Sequence, residues 1–274
     1  MAVPGNVAGL CQLAQQSGRL PLSVLLEPAI RLMRQGCPIS EMQAFIGHLI
    51  EPILLLTPDC AAIFGSPDGS LRQVGDLVRM PELASTLEAL AVEGPRLFYH
   101  GDVAKAILAD QQAHGGLLTA ADLHRYRIRR YKPLTSSFRG RTVLTNPPPS
   151  RGGLLISFAL RLLDGFRFDP AEFGKAGHLE LLCEAMRVSS LARQEMEAQD
   201  LQPRQQVARL LGQATVRRWS GVLRDFLNQP VSARNLDPAI SARPNTTQIS
   251  VMDADGLVVS LTTSAGEGTG FIVP

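Results

Sequence analysis

The chain has 274 residues, 45% of them hydrophobic, which is enough apolar mass for one large domain or two small ones and excludes disorder over its whole length. Lys and Arg number 27 against 25 Asp and Glu, a formal charge of +2, and aromatic residues make up 5%; this balance argues against a nucleic-acid surface, and the clusters Arg125-Tyr126-Arg127-Ile128-Arg129-Arg130 and Arg217-Arg218 read as solvated faces. Cys11, Cys37, Cys60 and Cys183 form no Cys-x-x-Cys pair and the five histidines have no ligand spacing, so buried free thiols, no metal and no cofactor are expected.

At the N-terminus, Met1-Ala2-Val3-Pro4-Gly5 has no basic region followed by a long apolar core, and Ile53-Leu54-Leu55-Leu56 is too short to span a bilayer. The expectation is a chain without export signal or membrane segment, cytoplasmic if expressed as written. Residues 6–63 have helical periodicity, with Val24, Leu25, Pro28, Ala29, Leu32 and Met33 on one face. Gly36 and Pro38 should close the second helix, Ser40 and Glu41 should open the next, and Pro52 should kink or end it. Residues 64–70 read as a turn, and 81–92 and 102–112 as further amphipathic helices, the second stopped by Gly115-Gly116. Thr119-Ala120-Ala121-Asp122 has the spacing of a capping box.

The period then changes. Residues 134–138 and 142–145 are rich in β-branched side chains and are separated by Arg139-Gly140, which predicts two strands joined by a tight turn. The prolines at 147–149 predict a rigid bend, and Gly152-Gly153 a lead into a helix over 154–163. A helix start of this kind resembles a phosphate loop but lacks the Gly-Lys-Ser/Thr ending. Helices are expected over 179–198 and 215–227. The irregular stretch 228–245, with Pro230, Pro238 and Pro244, reads as an exposed, cleavable linker. Beyond it, two strand-like runs flank the turn residues Ala254-Asp255-Gly256 and predict a β-hairpin that begins near Thr246.

Thr246-Thr247 begins that hairpin. β-branched residues favour a strand, which alone accounts for the pair. The alternative is a masked nucleophile: cutting the Asn245-Thr246 bond would give Thr246 a free α-amine, with a pKa of roughly 8, able to take the proton of its own hydroxyl. Resemblance supports the second reading. The run Thr246-Thr247-Gln248-Ile249-Ser250-Val251-Met252-Asp253-Ala254-Asp255-Gly256, continuing into Val258-Val259-Ser260-Leu261-Thr262-Thr263-Ser264, resembles the γ-glutamyltransferase precursor around its self-cleavage point. Four further stretches occur in that family's order: Val3-Pro4-Gly5 with Gly9; Phe98-Tyr99-His100-Gly101; Gly115-Gly116-Leu117 with Asp122-Leu123 and Tyr126; and Arg139-Gly140 through Pro147-Pro148-Pro149-Ser150-Arg151-Gly152-Gly153.

The resemblance covers nearly the whole chain and the middle of the family's precursor. It implies an α+β, helix-rich fold that is part of a four-layer αββα N-terminal-nucleophile hydrolase sandwich. Residues 1–245 would correspond to the large subunit and 246–274 to the start of the small one. It further implies self-cleavage at Asn245-Thr246 and transfer of a γ-glutamyl group, from a small molecule such as glutathione, to water or an amine. Thr246 would be the catalytic nucleophile, Ser264 would orient it, and Thr247 would assist processing.

Three features of the sequence depart from this pattern. Gln248 stands where the family usually has His, and Ala265 about where an Asn contacts substrate. The family's carboxylate-binding arginine falls upstream of Val3, and its substrate-amine acid and oxyanion glycines fall downstream of Pro274. Two alternatives therefore stand beside the transferase: a non-catalytic remnant, and an acylase of the same superfamily acting on another acyl group. The 29 residues from Thr246 to Pro274 suffice for a hairpin but not for a sandwich sheet, so the expectation is either a partner chain supplying further strands or a fragment of a larger gene product.

Overall fold

The computed structural model describes residues 3–199, 201–230 and 247–263. Contacts divide the chain into two units, Met1–Arg129 with Arg243–Pro274, and Arg130–Ala242.

The first unit is mainly helical. Helices α1 (Asn6–Ser17) and α2 (Leu22–Gln35) lead to a two-residue strand β1 (Cys37–Pro38), followed by α3 (Glu41–Leu49), α4 (Glu51–Leu54) and α5 (Pro58–Phe64). Strand β2 (Leu77–Val78) pairs antiparallel with β1, and α6 (Pro81–Glu93), α7 (Pro95–Tyr99), α8 (Asp102–Ala113) and α9 (Ala120–Arg125) complete the series. The expected boundaries hold for local reasons. Gly36, at φ 96°, ends α2 in a conformation that favours glycine. Ser40 caps α3 through a reciprocal box with Gln43, and Thr119 caps α9 with Asp122. Pro52 sits in the first turn of α4, where its missing N–H costs nothing.

The second unit starts with the predicted hairpin. Strands β3 (Leu134–Phe138) and β4 (Arg141–Thr145) pair from Leu134↔Thr145 to Phe138↔Arg141, and both turn residues, Arg139 and Gly140, have positive φ. Helix α10 (Arg151–Leu163) follows. It starts three residues earlier than expected and takes Gly152 and Gly153 into its first turn; the Pro148-Pro149 bond before it is cis. A short 3-10 turn at Pro170–Glu172, then α11 (Ala176–Glu197), α12 (Pro203–Leu210) and α13 (Gln213–Leu227), finish the unit.

Phe158, Leu162, Val188 and Leu223 are fully enclosed at the centre of the α10, α11 and α13 packing, with Trp219 and Leu210 beside them. Glu184 and Arg187 form a largely buried 2.7 Å ion pair on α11, and the Arg187 guanidinium stands 3.8 Å from the Phe226 ring centroid. Three hydroxyls pin the strands to α10: Ser136 donates to Ser157 at 3.3 Å, Ser157 lies 3.3 Å from Thr145, and Thr145 donates to the Gly153 carbonyl at 3.1 Å.

The last described elements, β5 (Thr247–Met252) and β6 (Val258–Thr263), belong to the first unit and form the predicted hairpin. The described residues are thus helix-rich α+β, with three separate two-stranded sheets and no third strand in any of them. The expected linker 228–245 lies outside the described residues except for its first three positions. The thiol expectation needs correction: all four cysteines are free, but only Cys11 is buried, and Cys183, on α11, is exposed. Among the described residues no helix is long and apolar enough to cross a membrane.

Candidate functional site

The β5–β6 hairpin is built around Asp253. Its Oδ1 accepts the backbone N–H of Asp255 at 3.0 Å and of Leu257 at 2.8 Å, while Gly256 takes φ 85° to turn the chain back. Six antiparallel pairs follow, from Met252↔Val258 to Thr247↔Thr263. Strand alternation then divides the side chains. Ile249, Val251, Val259 and Leu261 share one face, with Ile249 53% and Val251 58% exposed.

The opposite face is polar from Gln248 to Ser250 and Ser260 to Thr262, with Met252 and Val258 at its turn end. The Gln248 amide nitrogen donates to Ser260 Oγ at 2.7 Å and to Ser250 Oγ at 3.2 Å, the two serine hydroxyls are 3.1 Å apart, and Thr262 Oγ1 donates to Gln248 Oε1. An amide has both donor and acceptor at fixed spacing, so one side chain ties together three hydroxyls. Sequence reasoning singled out Gln248 only as a departure from a family pattern. The signal for its role was present in the alternation of Gln248 and Ser250 opposite Ser260 and Thr262.

Of the residues predicted to act, Thr247 is the first residue of β5, its backbone paired with Thr263. Thr246 and Ser264 lie just outside the described residues, as do Asn245 and Ala265. The last described pair of the hairpin is Thr247↔Thr263.

Three of the four other motif stretches lie in the first unit, and the fourth, residues 139–153, lies in the second. Tyr99 Oη donates to the Pro4 carbonyl at 2.7 Å and accepts the Ala8 N–H at 3.3 Å, and its ring stacks on Tyr126 with centroids 5.3 Å apart. Gly5 lies against Tyr126, since a Cβ on it would stand 3.1 Å from Tyr126 Cζ and overlap the hydroxyl. Val3, Phe98, Leu118 and Leu123 pack around the same cluster. Burial raises the Tyr99 phenol and the Cys11 thiol above their ordinary values. These motif residues therefore hold α1, α7 and α9 together. Among the described residues no group of three His, Cys, Asp or Glu side chains is placed to hold a metal ion.

Comparison with known proteins gives consistent results. The gamma-glutamyltranspeptidase family model matches residues 1–274. The chain is 32% identical over 267 residues to the acylase ACY 1 proenzyme of Pseudomonas sp. (strain SE83), covering 96% of this chain and 46% of that protein. It is 32% identical over 193 residues to the glutathione hydrolase proenzyme of Escherichia coli (strain K12), covering 70% of this chain and 33% of that one. The chain thus spans less than half the length of these relatives. Among solved structures, gamma-glutamyltranspeptidase from Helicobacter pylori superimposes with a TM-score of 0.73 at 28% identity over 86% of this chain and 65% of that one. Cephalosporin acylase from Bacillus halodurans does so with a TM-score of 0.74 at 25% identity over 99% and 50%.

Proposed function

The chain belongs to the gamma-glutamyltranspeptidase family, and from that premise we propose that it is part of a self-processing acyl-transfer enzyme with Thr246 as nucleophile. The observation that carries this reading is the β5–β6 register. Thr247 pairs with Thr263, so one further pair would set Thr246 opposite Ser264, on the strand face that carries Gln248 and Thr262. A hydroxyl directly across an antiparallel pair is close enough to hold the nucleophile's oxygen.

In processing, Thr246 Oγ attacks the Asn245 carbonyl carbon. The C–N bond breaks as the ester C–O bond forms, the hydroxyl proton passes to the departing nitrogen to complete the free amine, and water hydrolyses the ester to free Thr246, with Thr247 assisting. In turnover the α-amine takes the hydroxyl proton while Oγ attacks the acyl carbonyl; the leaving amine departs with that proton, and water or an acceptor amine resolves the acyl ester. Gln248 does not titrate near neutrality, so the α-amine is the base in this scheme. The division at 245/246, the stacked sheets of the four-layer fold and the strands expected from a partner belong to the same proposal. The exposed apolar side chains Ile249 and Val251 support further strand-bearing structure there.

The donor proposed first is a γ-glutamyl amide such as glutathione, as in the relatives named glutathione hydrolases. A second reading has a specific support: Ala265 lacks polar atoms to bind a glutamyl backbone, and the relatives include acylases. The two separate by trapping. The cleaved chain is incubated with γ-glutamyl-p-nitroanilide or glutaryl-p-nitroanilide, quenched in acid, and the 246–274 fragment is weighed. A γ-glutamyl adduct on Thr246 is expected; a glutaryl adduct alone favours the acylase; a processed chain that takes neither contradicts both catalytic readings.

A further inference from the structure

The first unit holds a groove of about 660 Å³ that the proposed chemistry does not use. One wall is α1, through Cys11, Gln12 and Gln15; the α1–α2 connection adds Arg19; the opposite wall is the end of α7 and the segment after α9, through Tyr99, His100, Tyr126 and Arg127. A volume of this order suits a small organic ligand, for which about 300–1,000 Å³ is typical.

Its lining has a one-sided charge. Two arginines, a histidine and two glutamines are among the lining residues, and no Asp or Glu is. Arg127 is fixed in place, its Nη1 donating to the His124 carbonyl at 2.9 Å and to the Tyr126 carbonyl at 2.7 Å. The base is apolar: the stacked Tyr99 and Tyr126 rings, Ala8 and the buried Cys11. The Tyr99 hydroxyl is already engaged with Pro4 and Ala8, so that ring offers the groove an apolar surface rather than a polar tip.

We propose that this groove is a binding site for a small carboxylate with an apolar body, its anionic group between Arg19 and Arg127 and its body over Tyr126 and Cys11. Guanidinium groups favour carboxylates because their paired N–H donors match the two oxygens. A neutral ligand of the same shape gains only the apolar contact. None of the described lining residues belongs to the β5–β6 hairpin.

The test uses the full chain carrying Thr246→Ala, with 3-phenylpropionate as probe and 3-phenylpropanamide as its neutral counterpart, followed by ligand-observed NMR titration. Saturable binding of the acid is expected, about fivefold or more tighter than the amide. Arg19→Gln and Arg127→Gln should each weaken the acid several-fold and leave the amide unchanged. Because Arg127 also holds the backbone, Arg19→Gln keeps the test decisive if Arg127→Gln fails to fold. Equal affinity for acid and amide, indifference to Arg19→Gln, or no saturable binding at millimolar probe would each overturn the proposal.

Discussion

Two adjacent glycines show how much one missing methyl group decides. Gly152 and Gly153 both lie in the first turn of α10, where alanine is worth up to about 1 kcal/mol more than glycine. At Gly152 an added Cβ meets open space. At Gly153 it would overlap the Asn146 carbonyl oxygen and stand 2.8 Å from the Asn146 nitrogen, both backbone atoms that cannot swing aside. Gly152→Ala should therefore be neutral or mildly stabilising, and Gly153→Ala should cost about 1–3 kcal/mol in a denaturant titration. Equal effects would show that the loop before α10 is not packed as described.

Asp122 gives a residue-scale test against pH. The Thr119 hydroxyl, followed by the Thr119 N–H, holds its carboxyl below the ordinary value of 3.8. A depressed folded pKa contributes stability above the unfolded value and loses it as pH falls through the folded one. The α9 cap should thus be at full strength at neutrality and fade below about pH 4. Replacing Thr119 with Val should lower the thermal midpoint at pH 7 and make a shrinking difference as pH is taken towards 2. A constant difference would contradict the assignment.

At the scale of elements, punctuation was easier to read than length. Gly36, Ser40, Thr119 and Arg139-Gly140 marked boundaries because each satisfies a local geometric or hydrogen-bonding need that the sequence states directly. Helix α7 is not legible because its five residues, Pro95–Tyr99, are too few to show a period. Helix α12 was overlooked although Pro203 at its first turn and the Gln202/Gln205 box announce it. Helix α10 starts three residues before the expected 154 because Gly152 and Gly153, read as the lead into it, are already helical, Gly153 for close approach to Asn146.

The β5–β6 hairpin was legible from its alternation and turn, and its register carries the functional proposal. Gly256 at φ 85° is its most sensitive point. A β-branched residue there should strain the turn by about 1–2 kcal/mol. Gly256→Val should slow formation of the two-fragment form several-fold, followed by time-resolved electrophoresis, while Gly256→Asn, which tolerates the conformation, should stay close to wild type. Equal rates for all three would mean that the register does not govern processing.

For the whole molecule, sequence and structure answered different questions. Family motifs reached the proposed chemistry at Thr246 and Ser264 through resemblance, since nothing in residue spacing alone distinguishes a masked nucleophile from a strand start. Several of the same motifs serve packing: Pro4, Gly5, Tyr99 and Tyr126 meet in one cluster, as their order along the chain gives no hint they should. The polar ladder around Gln248 also needed the register, because its members come from both strands.

The central claim is that Thr246 frees itself. It is tested most directly by the intact mass of the purified chain after prolonged incubation at neutral pH, beside Thr246→Ala treated identically. Two species that meet at Asn245-Thr246, with the variant remaining whole, is the predicted result. A wild-type chain that stays whole, or a split that persists in Thr246→Ala, would contradict it.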